Sequence, residues 1–300
     1  MGEASAVEAV GAAGAGGVEG AAGATGTIAD EIQAQLDAVE REEGVRVLFA
    51  VESGSRVWGF ASPNSDYDVR FVYAHPRDWY LRLHEGRDVI EWRCDETLDV
   101  NGWDLRKFLR LAQNSNPTAL EWLASPVVYR STPWLGRLSE ECACYFAPRH
   151  ELNHYRHMAR NNYRGFLEGE EVRLKKYLYV VRALLSASWI GERRTQPPVA
   201  FDELVAAELR MPGEAEVVLA VAEVLRAKVS SDEVGTGPRV DVLNGWIVDT
   251  FAELEAVAEA MPRDPVVPGD ALDALFLEIL AEGPTGPGTG PGCRGRSGGA

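Results

Sequence analysis

The sequence predicts an α/β (α+β) domain followed by an all-α domain. Predicted strands and helices alternate from residue 28 to residue 130, as they do in compact domains where helices cover a sheet. From about Ala147 onward the apolar residues follow a helical period almost throughout. With 300 residues, of which 46% are hydrophobic and 25% charged, the chain is long enough for two domains. We predict them at 27–140 and 141–283, with the boundary within 131–148.

Both ends of the chain are predicted to lie outside these domains. Residues 1–26 are rich in Gly and Ala, and residues 284–300 consist mostly of Pro and Gly. Such segments lack the large apolar side chains that a core requires. We therefore expect a disordered tail at each end.

The elements of the first domain are predicted from hydrophobic period and turn residues. Apolar residues at i, i+4 and i+8 predict a helix over 28–43. A nearly continuous β-branched run over 45–52 predicts a buried strand that ends at Gly54. Further strands are predicted at 66–73, 89–94 and 97–100, and helices at 76–83, 104–113 and 117–123.

The second domain is predicted to be a bundle of helices. Pro197-Pro198 and the segment 235–238 are loop signals between them. The helices are predicted at 148–168, 170–190, 201–210, 213–229, 240–261 and 269–281.

Composition and charge argue against several classes of protein. The chain has 30 Lys and Arg against 46 Asp and Glu, a net charge of −16, so no stable binding of duplex DNA is expected. No apolar run is long enough to span a membrane, and the N-terminus does not resemble a secretory signal. Four irregularly spaced cysteines do not form a disulfide framework. We therefore expect a cytoplasmic protein with no membrane partner.

A zinc site is a weak alternative near the predicted boundary. Cys142-x-Cys144 is followed by His150 and His154. Structural zinc sites of this kind need a second pair of ligands at matching spacing. Because no second Cys pair follows, we do not expect zinc here.

Two aspartates are the first candidate for chemistry. Asp66 and Asp68 lie at the start of the second predicted strand, where residues two apart point to the same face, roughly 7 Å apart along the chain. Two carboxylates on one face repel each other unless a cation lies between them, and Mg²⁺ prefers such oxygen ligands. The alternative is a hairpin with two solvated aspartates.

A Gly-Ser turn precedes the aspartates. Gly54-Ser55 follows the first predicted strand, and glycine allows the main chain to approach a phosphate closely while N–H groups and the serine hydroxyl bind its oxygens. Alone, this dipeptide is uninformative. Combined with Asp66 and Asp68 on the next strand, it predicts a phosphate cradle beside a metal site, which suits metal-assisted phosphoryl or nucleotidyl transfer.

A third carboxylate usually completes such a site. Asp95 and Glu96 have the sequence context of a turn. Asp104 fits the N-cap of the following helix. Asp99 lies inside the predicted strand 97–100, and we favour it over Asp104 as the group that orients or deprotonates an attacking hydroxyl.

Basic residues supply candidates for phosphate binding. Arg156, Arg160 and Arg164 are spaced i, i+4 and i+8 on one predicted helix. They form either a solvated face paired with nearby glutamates or a wall of the cleft that faces a triphosphate or a nucleic-acid backbone. Further basic candidates are Arg56 and Arg70, which flank the acidic pair, and Lys175, Lys176 and Arg182 on the next helix.

These motifs together resemble a known family. ESGSRVWGFASPNSDYDVRFVY, followed by DWYLRL, DVNGWDLRKFLRL and SNPTALEWL, is similar to the DNA polymerase β nucleotidyltransferase superfamily. Within it, the string resembles the bacterial stand-alone branch called the RNA-repair-pathway polymerase β family. The resemblance covers about 45–130 closely and continues more loosely through the helices after Lys175.

The resemblance implies a fold and an activity. It implies a polymerase-β-like nucleotidyltransferase domain with a mixed sheet, over which the helical domain closes. It implies transfer of a nucleoside monophosphate from an NTP to a hydroxyl with release of pyrophosphate, assisted by two Mg²⁺ ions. Gly54 and Ser55 would hold the triphosphate, and Asp66, Asp68 and Asp99 would be the catalytic metal ligands. The name of the branch makes RNA the candidate acceptor.

Two other functions fit the same residues. One is a catalytically silent nucleotide-binding or regulatory module that keeps the fold. The other is an antitoxin-like nucleotidyltransferase that modifies a protein. The sequence leaves the acceptor and the preferred base open.

Overall fold

A five-stranded mixed sheet forms the centre of the first half of the chain. We describe it from a computed structural model, which covers residues 27–230 and 235–282. The predicted tails at 1–26 and 284–300 lie outside the described residues. The sheet and the helices after it confirm the predicted fold class, an α/β (α+β) unit with a mixed sheet followed by helices.

The elements are numbered along the chain. The strands are β1 (Arg46–Ser53), β2 (Tyr67–Ala74), β3 (Val89–Cys94), β4 (Leu98–Asp104), β5 (Val128–Ser131), β6 (Glu171–Arg173) and β7 (Thr236–Pro238). The helices of the first half are α1 (Ile28–Glu43), α2 (Ser55–Trp58), α3 (Arg77–Tyr80), α4 (Leu105–Gln113), α5 (Pro117–Leu123) and α6 (Pro133–Ala143). Those of the second half are α7 (Pro148–Phe166), α8 (Lys175–Arg193), α9 (Phe201–Glu208), α10 (Ala215–Ser230), α11 (Asp241–Ala260) and α12 (Asp270–Ala281).

The strand order of the main sheet is β3-β4-β2-β1-β5. Strand β2 pairs antiparallel with β1 and parallel with β4, and the parallel register places Asp68 opposite Asp99. Both faces of β1 are covered, because Phe49 and Val51 belong to the core under α4 and α5 whereas Val47 and Ala50 belong to the core under α1. This explains why β1 is a continuous apolar run.

Side chains at the helix starts explain where several helices begin. Thr27 and Asp30 form a capping box at the start of α1. The Asp104 carboxylate accepts the N–H of Arg106 and caps α4, and Asn116 caps α5 with Pro117 in the first turn. Each cap satisfies main-chain N–H groups that the helix leaves unpaired.

Helix α8 is the centre of the helical half. Eleven of its residues are buried, including Val180, Leu184 and Ile190. Helices α7, α9, α10 and α11 pack around it. Phe60, which follows α2, is part of this helical core. The core under α4 and α5 in turn includes Leu272 and Ile279 of α12. The proposed division at 140/141 stays a prediction, since each half contributes side chains to the core of the other.

The structure contains elements that the sequence patterns did not reveal. Strand β5 ends where the segment expected to be a boundary begins, and helix α6 lies inside that segment. Strand β5 pairs with the edge of β1. The predicted helix over 170–190 begins instead at Lys175, because the three residues of β6 pair with β7. Strands of three or four residues are too short to show a period of two.

Among the residues that the structure describes, none of the helices combines the length and the apolar character that crossing a membrane requires.

A buried carboxyl group joins the two halves. Glu151 of α7 is 1% exposed, and its carboxylate accepts a hydrogen bond from the Ser115 hydroxyl at 3.0 Å. The Ser115 oxygen also accepts the N–H of Ala147 at 2.8 Å. Burial raises the pKa of Glu151 to about 8. In an unfolded chain this group is ionised above about pH 5. Between about pH 5 and about pH 8, therefore, only the folded protein keeps the proton on Glu151.

We predict that this carboxyl group makes stability fall as the pH rises from about 5 to about 8. The folded protein binds the proton more tightly than the unfolded chain does, so the stabilisation present at low pH is lost through this window. Glu151→Gln keeps the acceptor for Ser115 and should raise the free energy of unfolding at pH 8 by ~1 kcal/mol or more, with little change at pH 5. Urea unfolding at both pH values measures this, with the exposed Glu168→Gln as control. An equal effect at both pH values would contradict the assignment.

Candidate active site

Gly54 brings the end of β1 against the start of β2. It has φ 86° and ψ −149°, a conformation available almost only to glycine. A Cβ at this position would lie 2.3 Å from Asp68 Oδ2. Ser55, the next residue, begins the short helix α2 and is 8% exposed. Glycine is therefore required here for the close approach of an aspartate carboxylate to the main chain.

Three carboxylates meet at this point. Asp68 and Asp99 are direct neighbours in the parallel register of β2 and β4, and Asp66 immediately precedes β2. Arg70 lies between two of them: its Nη2 donates to Asp68 Oδ1 at 2.7 Å and to Asp99 Oδ2 at 2.6 Å. The side chains of Asp68 and Asp99 are 22% and 26% exposed, so the cluster remains open to solvent on one side.

The electrostatics of the cluster favour a bound cation. Burial, with smaller contributions from the negative charges of Asp66 and Asp99, raises the pKa of Asp68 to about 6 against the lowering effect of Arg70. A carboxylate whose ionised form is disfavoured by its neighbours is stabilised by any cation that approaches it.

A fourth carboxylate lies beneath the other three. Glu52, near the end of β1, is 1% exposed. Its Oε1 accepts the main-chain N–H of Asp68 at 2.9 Å, and its Oε2 accepts the hydroxyl of Tyr129. Burial raises the pKa of Glu52 to about 7. Glu52 was not among the predicted residues, although an acidic side chain directly after the apolar run of β1 was a signal that could have found it.

The helical half approaches the cluster from the other side. Lys228 of α10 donates to the hydroxyl oxygens of Ser62 and Ser65, at 3.1 and 3.5 Å, in the loop before Asp66. Burial and the charge of Lys175 lower the pKa of Lys228. Burial raises the pKa of Tyr179 of α8, and the charges of Asp68 and Asp66 add to this effect. Lys228 therefore lies near the acidic cluster, with Lys175 of α8 close to it, and Lys228 was not among the predicted residues.

Comparison with known proteins identifies the family. Residues 28–278 match the model of RlaP, the RNA repair pathway DNA polymerase beta family. The chain belongs to the RlaP family. This confirms the resemblance that was inferred from the Gly-Ser turn and the aspartates that follow it.

Two individual proteins are similar to this RlaP-family chain. The uncharacterized protein YcgL of Bacillus subtilis (strain 168) is 40% identical over 252 residues, which are 83% of this chain and 95% of that protein. A crystal structure of a nucleotidyltransferase-like protein from Exiguobacterium sibiricum 255-15 matches with 13% identity and a TM-score of 0.30, over 84% of this chain and 80% of that one. A structural score this low carries no argument about fold or function.

Within this RlaP-family chain, Asp104 lies apart from the acidic cluster. It is at the far end of β4, five residues beyond Asp99, or roughly 16 Å along the strand. Besides capping α4, its carboxylate accepts the hydroxyl of Tyr80 at 2.7 Å. The structure therefore brings Asp99 beside Asp68 and places Asp104 at the other end of β4.

Two of the predicted basic residues have partners inside the protein. Arg56 donates to the carbonyl oxygens of Ser65 and Asp66, and its guanidinium lies 3.6 Å from the centroid of the Tyr67 ring. It holds the loop that leads into β2. Arg70, described above, neutralises Asp68 and Asp99 directly.

Two arginines of the predicted stripe on α7, Arg156 and Arg160, face α11. Arg156 and Arg160 both pair with Glu255 at 3.6 Å, and Arg160 lies 5.2 Å from the centroid of the Phe251 ring. The acidic partner of Arg156 and Arg160 therefore comes from a different helix and not from α7. A nucleotide-binding role for Arg160 stays a prediction.

No group of three or more His, Cys, Asp or Glu side chains in residues 27–230 and 235–282 is arranged as a preformed metal site. Cys142 is buried, Cys144 is exposed, and both are free thiols.

We predict that Gly54→Ala is more damaging than Gly59→Ala. Both glycines have positive φ, 86° and 87°, but only Gly54 faces Asp68, whereas nothing lies within 4 Å of a Cβ at Gly59. The strain of the added methyl group against the carboxylate should cost about 1 to 3 kcal/mol more in the free energy of unfolding at Gly54. Chemical denaturation of both variants measures the difference, and equal losses would contradict the close approach.

Proposed function

We propose that this protein is a Mg²⁺-dependent nucleotidyltransferase that transfers a nucleoside monophosphate from an NTP to a hydroxyl group, with RNA as the acceptor. Membership of the RlaP family supports the reaction class. The single observation that carries the proposal is the placement of Asp68 beside Asp99 and against Gly54. The free thiols of Cys94, Cys142 and Cys144 fit the cytoplasm as the compartment.

The donor set fits Mg²⁺. Asp66, Asp68 and Asp99 offer carboxylate oxygens, the ligands that this hard cation prefers. Burial, and to a smaller extent the charges of Asp66 and Asp99, raises the pKa of Asp68, so a cation beside it would stabilise its ionised form. When bound, two such ions would polarise the phosphate and stabilise the negative charge that develops during the transfer. Arg70 holds Asp68 and Asp99 in place and partly neutralises them.

The remaining roles belong to side chains and main-chain groups of this chain. The main-chain N–H groups at Gly54 and Ser55 would donate to oxygens of the triphosphate. Lys175 and Lys228 would neutralise the charge that develops on pyrophosphate. Asp99 would accept the proton of the attacking hydroxyl or orient that hydroxyl.

The salt bridges of Arg70 favour one alternative. A guanidinium between Asp68 and Asp99 already supplies positive charge, as it would in a catalytically silent module that binds nucleotide for regulation. The third candidate, an antitoxin-like enzyme that modifies a protein, shares the same site and differs only in the acceptor. Transfer of label from an NTP distinguishes an enzyme from a silent module, and the identity of the labelled product distinguishes RNA from protein.

We predict that Asp99→Asn abolishes transfer and that Asp104→Asn does not. Removing a metal-binding carboxylate should lower the rate by about a thousandfold or more, whereas asparagine at position 104 keeps an oxygen for the N-cap of α4. The measurement is transfer of label from each of the four α-labelled NTPs to RNA and to protein in a cell extract, with Mg²⁺ present. Asp66→Asn and Asp68→Asn should behave like Asp99→Asn.

Two outcomes would count against the proposal. Absence of label transfer by the wild-type protein, together with tight NTP binding in calorimetry, would favour the silent module. Loss of activity in Asp104→Asn with retention in Asp99→Asn would exchange the roles of these two residues.

We predict that Lys175→Met raises the KM for NTP about tenfold, because a charge-assisted contact to phosphate contributes roughly 1.4 kcal/mol or more. Arg160→Met should leave that KM unchanged and lower stability, since its guanidinium pairs with Glu255. Steady-state kinetics and thermal unfolding of both variants separate the two effects. A raised KM in Arg160→Met would support the nucleotide-binding role predicted from the arginine stripe.

A further inference from the structure

Glu52 is a buried residue of the site to which the proposed reaction assigns no role. Both carboxylate oxygens of this buried residue are occupied, by the main-chain N–H of Asp68 and by the Tyr129 hydroxyl. Its own main chain is also held: the N–H donates to the carbonyl of Val127 at 3.0 Å, and the carbonyl accepts the Ser125 hydroxyl at 2.7 Å. Glu52 therefore has one fixed position, between β5 and the start of β2.

Asp68 is consequently restrained from three directions. Glu52 holds its main-chain N–H, Arg70 holds its Oδ1, and the main chain of Gly54 limits the position of its Oδ2. Two of these restraints act on the carboxylate itself. The contact from Glu52 is the one that fixes the main chain from which the carboxylate projects.

Stability alone does not account for an acidic residue at this position. Glu52 follows the apolar residues Val47–Val51 on β1, all of them buried. Burying a carboxyl group costs free energy unless it is fully hydrogen-bonded, and the neighbouring charge of Asp68 adds to that cost. Glu52 is costly to bury, and it accepts a hydrogen bond from the main chain of Asp68, a candidate metal ligand. Both facts fit a role in positioning that ligand.

We propose that Glu52, itself oriented by Tyr129, is a positioning residue that holds Asp68 in the orientation needed to bind a divalent cation. This inference rests on the proposed function only in taking Asp68 as a cation ligand. It assigns Glu52 no contact with nucleotide, acceptor or cation. Its effect is transmitted through the main chain of Asp68.

Three variants at two positions separate positioning from packing. Glu52→Gln keeps the shape and an oxygen that accepts the Asp68 N–H. Glu52→Met keeps the approximate volume and removes the acceptor. Tyr129→Phe keeps the ring and removes only the hydroxyl that orients Glu52, so it tests the same interaction if Glu52→Met fails to fold. Ser125→Ala is the matched control, because it removes a hydrogen bond to the carbonyl of Glu52 and leaves the carboxylate untouched.

The measurement is Mn²⁺ binding to the full chain without nucleotide, by calorimetry, with the thermal midpoint recorded for each variant. Loss of a residue that orients a metal ligand weakens metal affinity by about 10 to 100-fold. We therefore expect at least about a tenfold loss in Glu52→Met, a smaller loss in Tyr129→Phe, and affinity near that of the wild type in Glu52→Gln. Ser125→Ala should lower the thermal midpoint without changing Mn²⁺ affinity.

The results that would overturn the inference are distinct from those that bear on the reaction. Unchanged Mn²⁺ affinity in Glu52→Met, or in Tyr129→Phe where Glu52→Met is unfolded, overturns it. An equal loss of affinity in Ser125→Ala overturns it as well, since general destabilisation would then explain the effect. A wild-type protein that binds no Mn²⁺ also overturns it. If Mn²⁺ binding depends on Glu52 but no label is transferred from NTP, the inference holds and the proposed reaction fails.

Discussion

The parallel pairing of β2 with β4 is the constraint on which the site depends. The two strands are far apart in sequence order, separated by α3 and β3, yet their register sets Asp68 directly beside Asp99. The antiparallel pairing of β2 with β1 then brings Ser53 opposite Asp68, so that the turn at Gly54 meets the same carboxylate. Strand β2 thus fixes the positions of both the β1 turn and β4 relative to Asp68. A shift of the β2 register by one residue would turn Asp68 to the opposite face of the sheet.

The carboxylates of Asp66, Asp68 and Asp99 concentrate negative charge at one end of β2 and β4. Nearby arginine and lysine side chains balance this charge or hold the loop that carries it. Arg70 neutralises two carboxylates from within the sheet. Arg56 fixes the loop that carries Asp66 through main-chain carbonyl oxygens. Lys228 contacts the same loop from the helical half. The loop before β2 is therefore held by residues of both halves of the chain, and its position depends on how the helical half is packed.

Much of the fold and part of the candidate site could be predicted from local patterns. The apolar run of β1, the helical periods of α1, α4 and α11, and the spacing of Gly54 from Asp68 are all local in sequence. The rest depends on contacts between distant residues. The pairing of Arg160 with Glu255 joins two helices, and the contact of Lys228 with Ser62 joins residues 166 positions apart. The short strands β5 to β7 are fixed by their partners, because three or four residues carry too little pattern of their own.

The packing of α12 has a consequence for the order in which the protein is made. Leu272, Leu275 and Ile279 lie in the same core as Phe49 and Phe108, and Arg46 at the start of β1 donates to the carbonyl of Ile279 at 2.6 Å. Helix α12 packs against α4 and α6, so this core stays incomplete during synthesis until some of the last described residues have been made. Until then, the apolar side chains of α4 and α6 that α12 covers are exposed on the nascent chain. A chain truncated before α12 would leave them open to chaperone binding or aggregation.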